Sequence, residues 1–248
     1  MSTARRIRCS VKAITDHGDR VYSLDLAPAG PVPAFRPGQF LHLTVEDYDP
    51  STFWPESRVF SIASSPRERR RICICYSVKG RYTKRMEEKL KVGSEVWIKL
   101  PYGDFVIDGT RDAVLFAGGT GVSAFTAFLG ALTPENSQSV TLIYGARTPA
   151  LILFQDLILA QLARVPNFQV SFFSEMPNAA FERDMAVALG RVSCMTGRIA
   201  LDQVWAQFRV PQEQVFYISG PPVMLAALSA GLRTRGIAPE RIRTDAWE

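Results

Sequence analysis

Short stretches alternate apolar and polar residues through the first part of the chain. Ile7, Cys9, Val11 and Ala13 take every second position, and alternation returns over residues 21–26 and 40–45. Ile72, Ile74 and Tyr76 alternate with Cys73, Cys75 and Ser77, and residues 96–100 close the series. A period of two turns one face of a strand toward a core. Short strands divided by turn signals predict a small closed antiparallel barrel or sandwich over residues 1–108. Residues 36–40 and 101–105 are turn segments, in which Pro presets φ and Gly accepts positive φ. The one helical stretch, residues 82–90, has Thr83 at its start and Glu87 and Glu88 in its first turns, which suits a capped N-terminus. Such an end offers backbone N–H groups to phosphate.

From Asp112 the period changes. Residues 113–117 are a continuous apolar run, as in a strand buried on both faces. Gly118-Gly119-Thr120-Gly121 follows, then an apolar helical stretch over 123–132. Strands are predicted at 140–144, 168–173 and 214–218, with helices at 151–164 and 223–235. Alternating strands and helices predict a parallel sheet over residues 109–248, with ligands bound beyond the carboxyl ends of its strands.

Composition fits two ordinary domains and removes other classes. Apolar residues at 47% and charged residues at 21% of 248 are normal for a globular chain. No run of about 18 apolar residues appears, so no membrane span is expected. The N-terminus carries no apolar signal core behind Arg5-Arg6, and the cytoplasm is the expected location. Cys9, Cys73, Cys75 and Cys194 show neither disulfide nor metal spacing, and only His17 and His42 are available, so no metal site is expected. The net charge of +5 is uneven. Residues 1–108 hold 18 Lys and Arg against 13 Asp and Glu, whereas the remainder balances 11 against 11 without a lysine. The shift supports a boundary near Gly109 and puts the positive field on the first domain, where an anionic cofactor or acidic partner would be steered. The basic residues are not interleaved with aromatics, which argues against nucleic acid.

Three segments carry the chemistry. Arg58-Val59-Phe60-Ser61 comes first, Gly118-Gly119-Thr120-Gly121 next and Ser219-Gly220-Pro221-Pro222 last. In this order they resemble the ferredoxin–NADP reductase superfamily over nearly the whole chain. The resemblance implies an antiparallel Greek-key FAD-binding β-barrel followed by an α/β, parallel-sheet, Rossmann-like NAD(P)-binding domain. It implies FAD rather than FMN, with Arg58 on phosphate and the Ser61 hydroxyl at flavin N5. Phe60 replaces the usual Tyr, keeping an aromatic wall without its hydroxyl. Gly80, Tyr82 and Thr83 lie in a second flavin segment, where Gly lets the backbone approach and Thr with the helix end holds pyrophosphate. In the second domain the 118–121 glycines admit the pyrophosphate of NADH or NADPH. Ser219, in the place of a Cys, with Gly220 and Pro221, is implied to position the nicotinamide. Trp247 matches a terminal aromatic that packs near the flavin. Arg147 stands where the family reads the adenosine end. Glu175 follows the third strand, and its carboxylate would repel a 2′-phosphate, which favours NADH.

The expected activity is hydride transfer from NAD(P)H to FAD, then electron transfer to an acceptor protein such as a ferredoxin or oxygenase component. The resemblance implies a stand-alone reductase without a fused iron–sulfur domain. Arg67, Arg69, Arg70 and Arg71 form a candidate docking patch for an acidic acceptor, or a solvated hairpin tip. Two other readings remain open: a flavin or quinone reductase with a small diffusible acceptor, and a flavin-binding electron-relay subunit of a larger complex.

Overall fold

A computed structural model describes residues 3–176, 181 and 190–246. The chain divides into two compact units, Met1–Val106 and Ile107–Glu248.

The first unit contains β1 (Arg5–Asp16), β2 (Val21–Pro28), β3 (Phe40–Thr44), β4 (Arg58–Ser61), β5 (Ile72–Ser77), α1 (Arg81–Lys89) and β6 (Glu95–Tyr102). The strands form one antiparallel sheet in the order β4-β3-β6-β1-β2-β5. Just past β4, the Ala63 N–H donates to the Cys73 carbonyl of β5 at 2.8 Å, which draws the two edges into a nearly closed barrel. The alternating positions fill the interior: Cys9, Val11, Leu24, Leu26, Leu41, Leu43, Ile72, Ile74, Ile98 and Leu100 are all but inaccessible. Each fully buried aliphatic side chain contributes about 1.5–3 kcal/mol. The alternation in β1 fails at Ala13, because the register with β2 slips between Val11 and Ala13. Burial pushes the thiols of Cys9, Cys73 and Cys75 up to about 12, so they stay protonated packing groups.

Helix α1 sends Tyr82 and Met86, one turn apart, into this core. Its N-cap is Gly80 rather than Thr83. Thr83 lies a turn inside, where its hydroxyl accepts the N–H groups of Lys79 at 3.0 Å and Gly80 at 3.2 Å. That satisfies the donors ahead of the helix from within it. The first turn holds no acidic residue. Glu87 sits further along and pairs with Arg20 at 2.5 Å.

The second unit contains β7 (Ala113–Gly118), α2 (Ser123–Leu129), β8 (Val140–Ala146), α3 (Gln155–Arg164), β9 (Phe168–Ser174), β10 (Val192–Thr196), α4 (Leu201–Val204), β11 (Val215–Ser219), α5 (Pro222–Thr234) and β12 (Ile242–Thr244). Its strands are parallel in the order β10-β9-β8-β7-β11-β12. Val114, Phe116, Phe216 and Ile218 pack with Leu225, Leu228 and Leu232 of α5, which recur at helical spacing. Every residue of α2 is buried, including Ser123 and Thr126, whose hydroxyls donate to the carbonyls of Thr120 and Ser123 at 2.8 and 2.9 Å. Two predicted helices are shorter than their patterns. One stops at Leu129, and the other starts at Gln155 behind a left-handed Phe154. From β7 the chain runs out through β8, β9 and β10, then returns to lay β11 on the opposite side of β7. The carboxyl ends of β7 and β11 are therefore neighbours at a topological switch point, where open α/β sheets place their ligands. Among the described residues, no helix is long and apolar enough to cross a membrane.

Candidate functional site

In the barrel unit, Arg58 opens β4 opposite Leu43. Its guanidinium lies 4.8 Å from the centre of the Tyr82 ring and donates to the Ser57 carbonyl at 2.8 Å. It also reaches Glu56 Oε1 at 3.2 Å. Arg81, the first residue of α1, meets the same oxygen at 3.2 Å. Arg85, one turn later, donates to Glu56 Oε2 at 2.8 Å and pairs with Glu46. One carboxylate thus gathers three guanidiniums from a strand and a helix. Arg85, with Arg81 behind it, holds Glu56 below the usual carboxylate range. The motif reading named Arg58 alone. The i, i+4 spacing of Arg81 and Arg85 directly after Gly80 was the available signal. Nothing in the sequence marked Glu56.

The other flavin-segment residues divide by the direction they face. Ser61 and Val59 share the outer side of the sheet with Phe40 and His42, their direct partners in β3. There Phe40, His42 and Tyr102 form a cluster of rings with centroids 4.9–5.7 Å apart. Burial lowers the His42 pKa, and Lys99 lowers it further. Phe60 turns inward, is only 9% exposed, and sets its ring edge-on to Tyr76. Tyr82 is likewise committed to the core. Its hydroxyl donates to the Leu43 carbonyl at 3.0 Å and accepts the Val45 N–H at 3.1 Å. The Tyr82 side chain is thus a platform beneath Arg58 and Arg85 rather than a group presented to a ligand. A Cβ at Gly80 would meet nothing within 4 Å, so no side chain crowds the backbone at that residue. Trp54 donates to the Ser57 hydroxyl at 2.9 Å and packs on Tyr48, which anchors the loop and leaves Phe53 exposed.

At the switch point of the second unit, the 118–121 glycines do two different things. A Cβ on Gly121 would lie 2.4 Å from the Ser219 carbonyl oxygen, and one on Gly118 would lie 2.8 Å from Pro221 and Met224. These two absent side chains let the β7 loop touch the β11 loop. Gly119 instead has φ +53° and open space where a Cβ would point, so it presents backbone outward. The segment enters α2 through a 3-10 turn, Gly119–Val122, in which the Ser123 hydroxyl donates to the Thr120 carbonyl at 2.8 Å. Gly220 and Pro221 lead into α5.

Ser219 is buried, and its hydroxyl donates to Asp245 Oδ2 at 2.8 Å. Asp245 is also buried, just past β12, and its N–H is held by the Ile218 carbonyl at 2.8 Å. Sequence reasoning missed this carboxylate, whose signal was an acid two residues before Trp247. Trp247 itself lies outside the described residues. Arg147 is exposed after β8, and its carbonyl accepts the Met176 N–H at 3.1 Å. Glu175 is exposed after β9, but it is paired: Arg198, after β10, reaches it at 3.4 Å.

The arginine patch of the hairpin is smaller than its sequence. Arg69 donates twice to the Val32 carbonyl, at 2.9 and 2.7 Å, and Arg71 pairs with Asp25 and Glu68. Two of the four thus hold the hairpin to neighbouring chain. Among the described residues, no group of acidic, Cys and His side chains could hold a metal ion.

No family model matches the chain. It is 26% identical to a flavohemoprotein of Rhizobium meliloti (strain 1021), over 97% of this chain and 60% of that protein. It is 29% identical to the reductase component of propane 2-monooxygenase from Rhodococcus jostii (strain RHA1), over 96% of this chain and 63% of that protein. The chain therefore spans less than two thirds of the length of these relatives. Its fold matches the crystal structure of Amycolatopsis cytochrome P450 reductase GcoB with a TM-score of 0.81 and 22% identity, covering all of this chain and 71% of that one. In sequence the chain is thus similar to flavohemoproteins and to oxygenase reductase components, and in fold to the Amycolatopsis reductase.

Proposed function

We propose that the chain takes a hydride from NADH or NADPH onto bound FAD and passes electrons to an acceptor protein such as a ferredoxin or an oxygenase component. The observation that carries this reading is the meeting of the 118–121 and 219–222 loops at the switch point of a parallel sheet, on a chain whose other unit gathers three arginines at the start of a helix. In this reading the barrel unit holds FAD and the sheet unit holds the nicotinamide dinucleotide. The donors present suit a dinucleotide. Arg58, Arg81 and Arg85 offer planar permanent charge to the flavin diphosphate. The N-terminus of α1 adds backbone N–H groups. Gly119 offers outward backbone to the second pyrophosphate.

When bound, FAD supplies a hydride acceptor at N5 and returns the electrons to a partner. The protein's work is then alignment and charge neutralisation, with no general base required. Ser61 supplies a hydroxyl beside the ring. Ser219, oriented by Asp245, fixes the nicotinamide. The Glu175–Arg198 pair meets the adenosine end, and its carboxylate favours NADH less strongly than an unpaired one would. Similarity to reductase and electron transfer components of oxygenases supports the choice of a protein acceptor. A cytoplasmic location belongs to the same proposal and is checked by fractionation.

Anaerobic titration of the FAD-loaded chain with NADH and with NADPH, followed by visible absorbance, tests the proposal. Bleaching of the flavin bands at one equivalent is expected, with NADH the faster donor. A chain that takes up FAD but is not bleached by either nucleotide is not this enzyme.

A further inference from the structure

We propose that Glu56 is a place-holding anion: its carboxylate occupies the arginine cluster until a phosphate-bearing ligand displaces it. The inference rests on the flavin reading above and concerns how that site exchanges its ligand. The two oxygens of Glu56 take Arg58 at 3.2 Å, Arg81 at 3.2 Å and Arg85 at 2.8 Å. These partners come from β4 and two successive turns of α1, so a loop residue is collecting charge from separate elements.

The cluster is over-supplied with cations. Arg85 and Lys89 also face Glu46, leaving four basic groups against two carboxylates. The excess matches the charge of a diphosphate diester. The pairs also differ in how firmly they are held. Arg85 is pinned by Glu46 and lies against Tyr82. Arg81 is 81% exposed and Arg58 48%, so water screens their pairing with Glu56. Weak, exposed pairs exchange readily for an anion with more acceptor oxygens and more charge. Glu56 thus keeps like-charged guanidiniums together in the empty protein and competes with phosphate for them. The consequence is a cofactor that comes and goes; the arginines, not Glu56, favour FAD and FMN over riboflavin, which lacks phosphate.

The test compares the wild-type chain with Glu56→Gln, which keeps the side chain's shape and removes its charge. The flavin-free proteins are titrated with inorganic pyrophosphate, FAD and riboflavin by calorimetry, and their melting temperatures are read with and without pyrophosphate. Glu56→Gln should melt lower when empty, gain more from pyrophosphate than the wild type does, and bind pyrophosphate and FAD about tenfold more tightly, the scale of two released surface pairs. Riboflavin binding should not change. Unchanged or weaker pyrophosphate binding in Glu56→Gln overturns the proposal, as does an equal gain for riboflavin, which would mean a general rearrangement. Arg81→Ala guards against a folding artefact: it should weaken pyrophosphate binding in the wild type at unchanged riboflavin affinity, and failure to do so counts against the cluster. A wild type that takes pyrophosphate but no flavin removes the cofactor reading, while the pyrophosphate titrations still decide the role of Glu56.

Discussion

The two units differ in what they bring to their candidate sites. The barrel unit brings side-chain charge: Arg58, Arg81 and Arg85 around Glu56, on surfaces open to water. The sheet unit brings backbone: glycines packed so closely that a Cβ at Gly121 would lie 2.4 Å from a neighbouring carbonyl oxygen. Side-chain charge can be rearranged by rotating flexible arms, and salt screens it. Backbone shape is tied to the strands that carry it and is indifferent to salt. The difference teaches that two candidate anion sites in one chain can fail in different ways. One is sensitive to charge substitution and ionic strength, and the other to a single methyl group.

The contrast can be broken most severely at Gly121. Gly121→Ala should cost about 3 kcal/mol of stability, because the obstructing atom is backbone and cannot swing away. Gly80→Ala, where the space is open, should change the melting temperature little. Equal losses in thermal melts of the two variants would erase the distinction.

A smaller effect is expected at Ser219. Ser219→Ala removes a hydrogen bond to the buried Asp245 carboxylate, at a cost of about 1–3 kcal/mol. It should also slow flavin reduction by NADH at saturating nucleotide while leaving FAD affinity intact. Stopped-flow absorbance and flavin fluorescence separate the two. A loss of FAD affinity without a slower reduction would show that Ser219 does not serve the nicotinamide.

The smallest effect sharpens the comparison at the Glu175–Arg198 pair of the sheet unit's candidate site. Glu175 and Arg198 are both exposed, and such pairs are worth under about 1 kcal/mol. Arg198→Ala should raise the ratio of kcat/KM for NADH over NADPH by a few-fold, and Glu175→Ala should lower it by a similar factor. Steady-state kinetics with both nucleotides at two salt concentrations check the sign, and the effect should fade at high salt. Ratios that do not move would detach this pair from the nucleotide.

The central strands were the most legible parts of the fold. Strands such as Ala113–Gly118 carry unbroken apolar runs because both faces are covered. The edge strands β10 and β12 escaped, since Val-Ser-Cys-Met-Thr and Ile-Arg-Thr are half-exposed and show no run at all. The start of α1 was misjudged by one cap, because Thr83 serves its helix from inside the first turn.

What the chain determines by itself is periodicity and punctuation: where a strand alternates, where glycine follows a buried run, and in which order the motifs come. These are local properties, set by backbone geometry within a few residues. Tertiary structure decided the rest. Glu56 and Arg85 are 29 positions apart, and Ser219 and Asp245 are 26 apart. Charges and hydrogen bonds act through space, and no spacing rule along a chain encodes which distant side chains folding will set within 3 Å of each other.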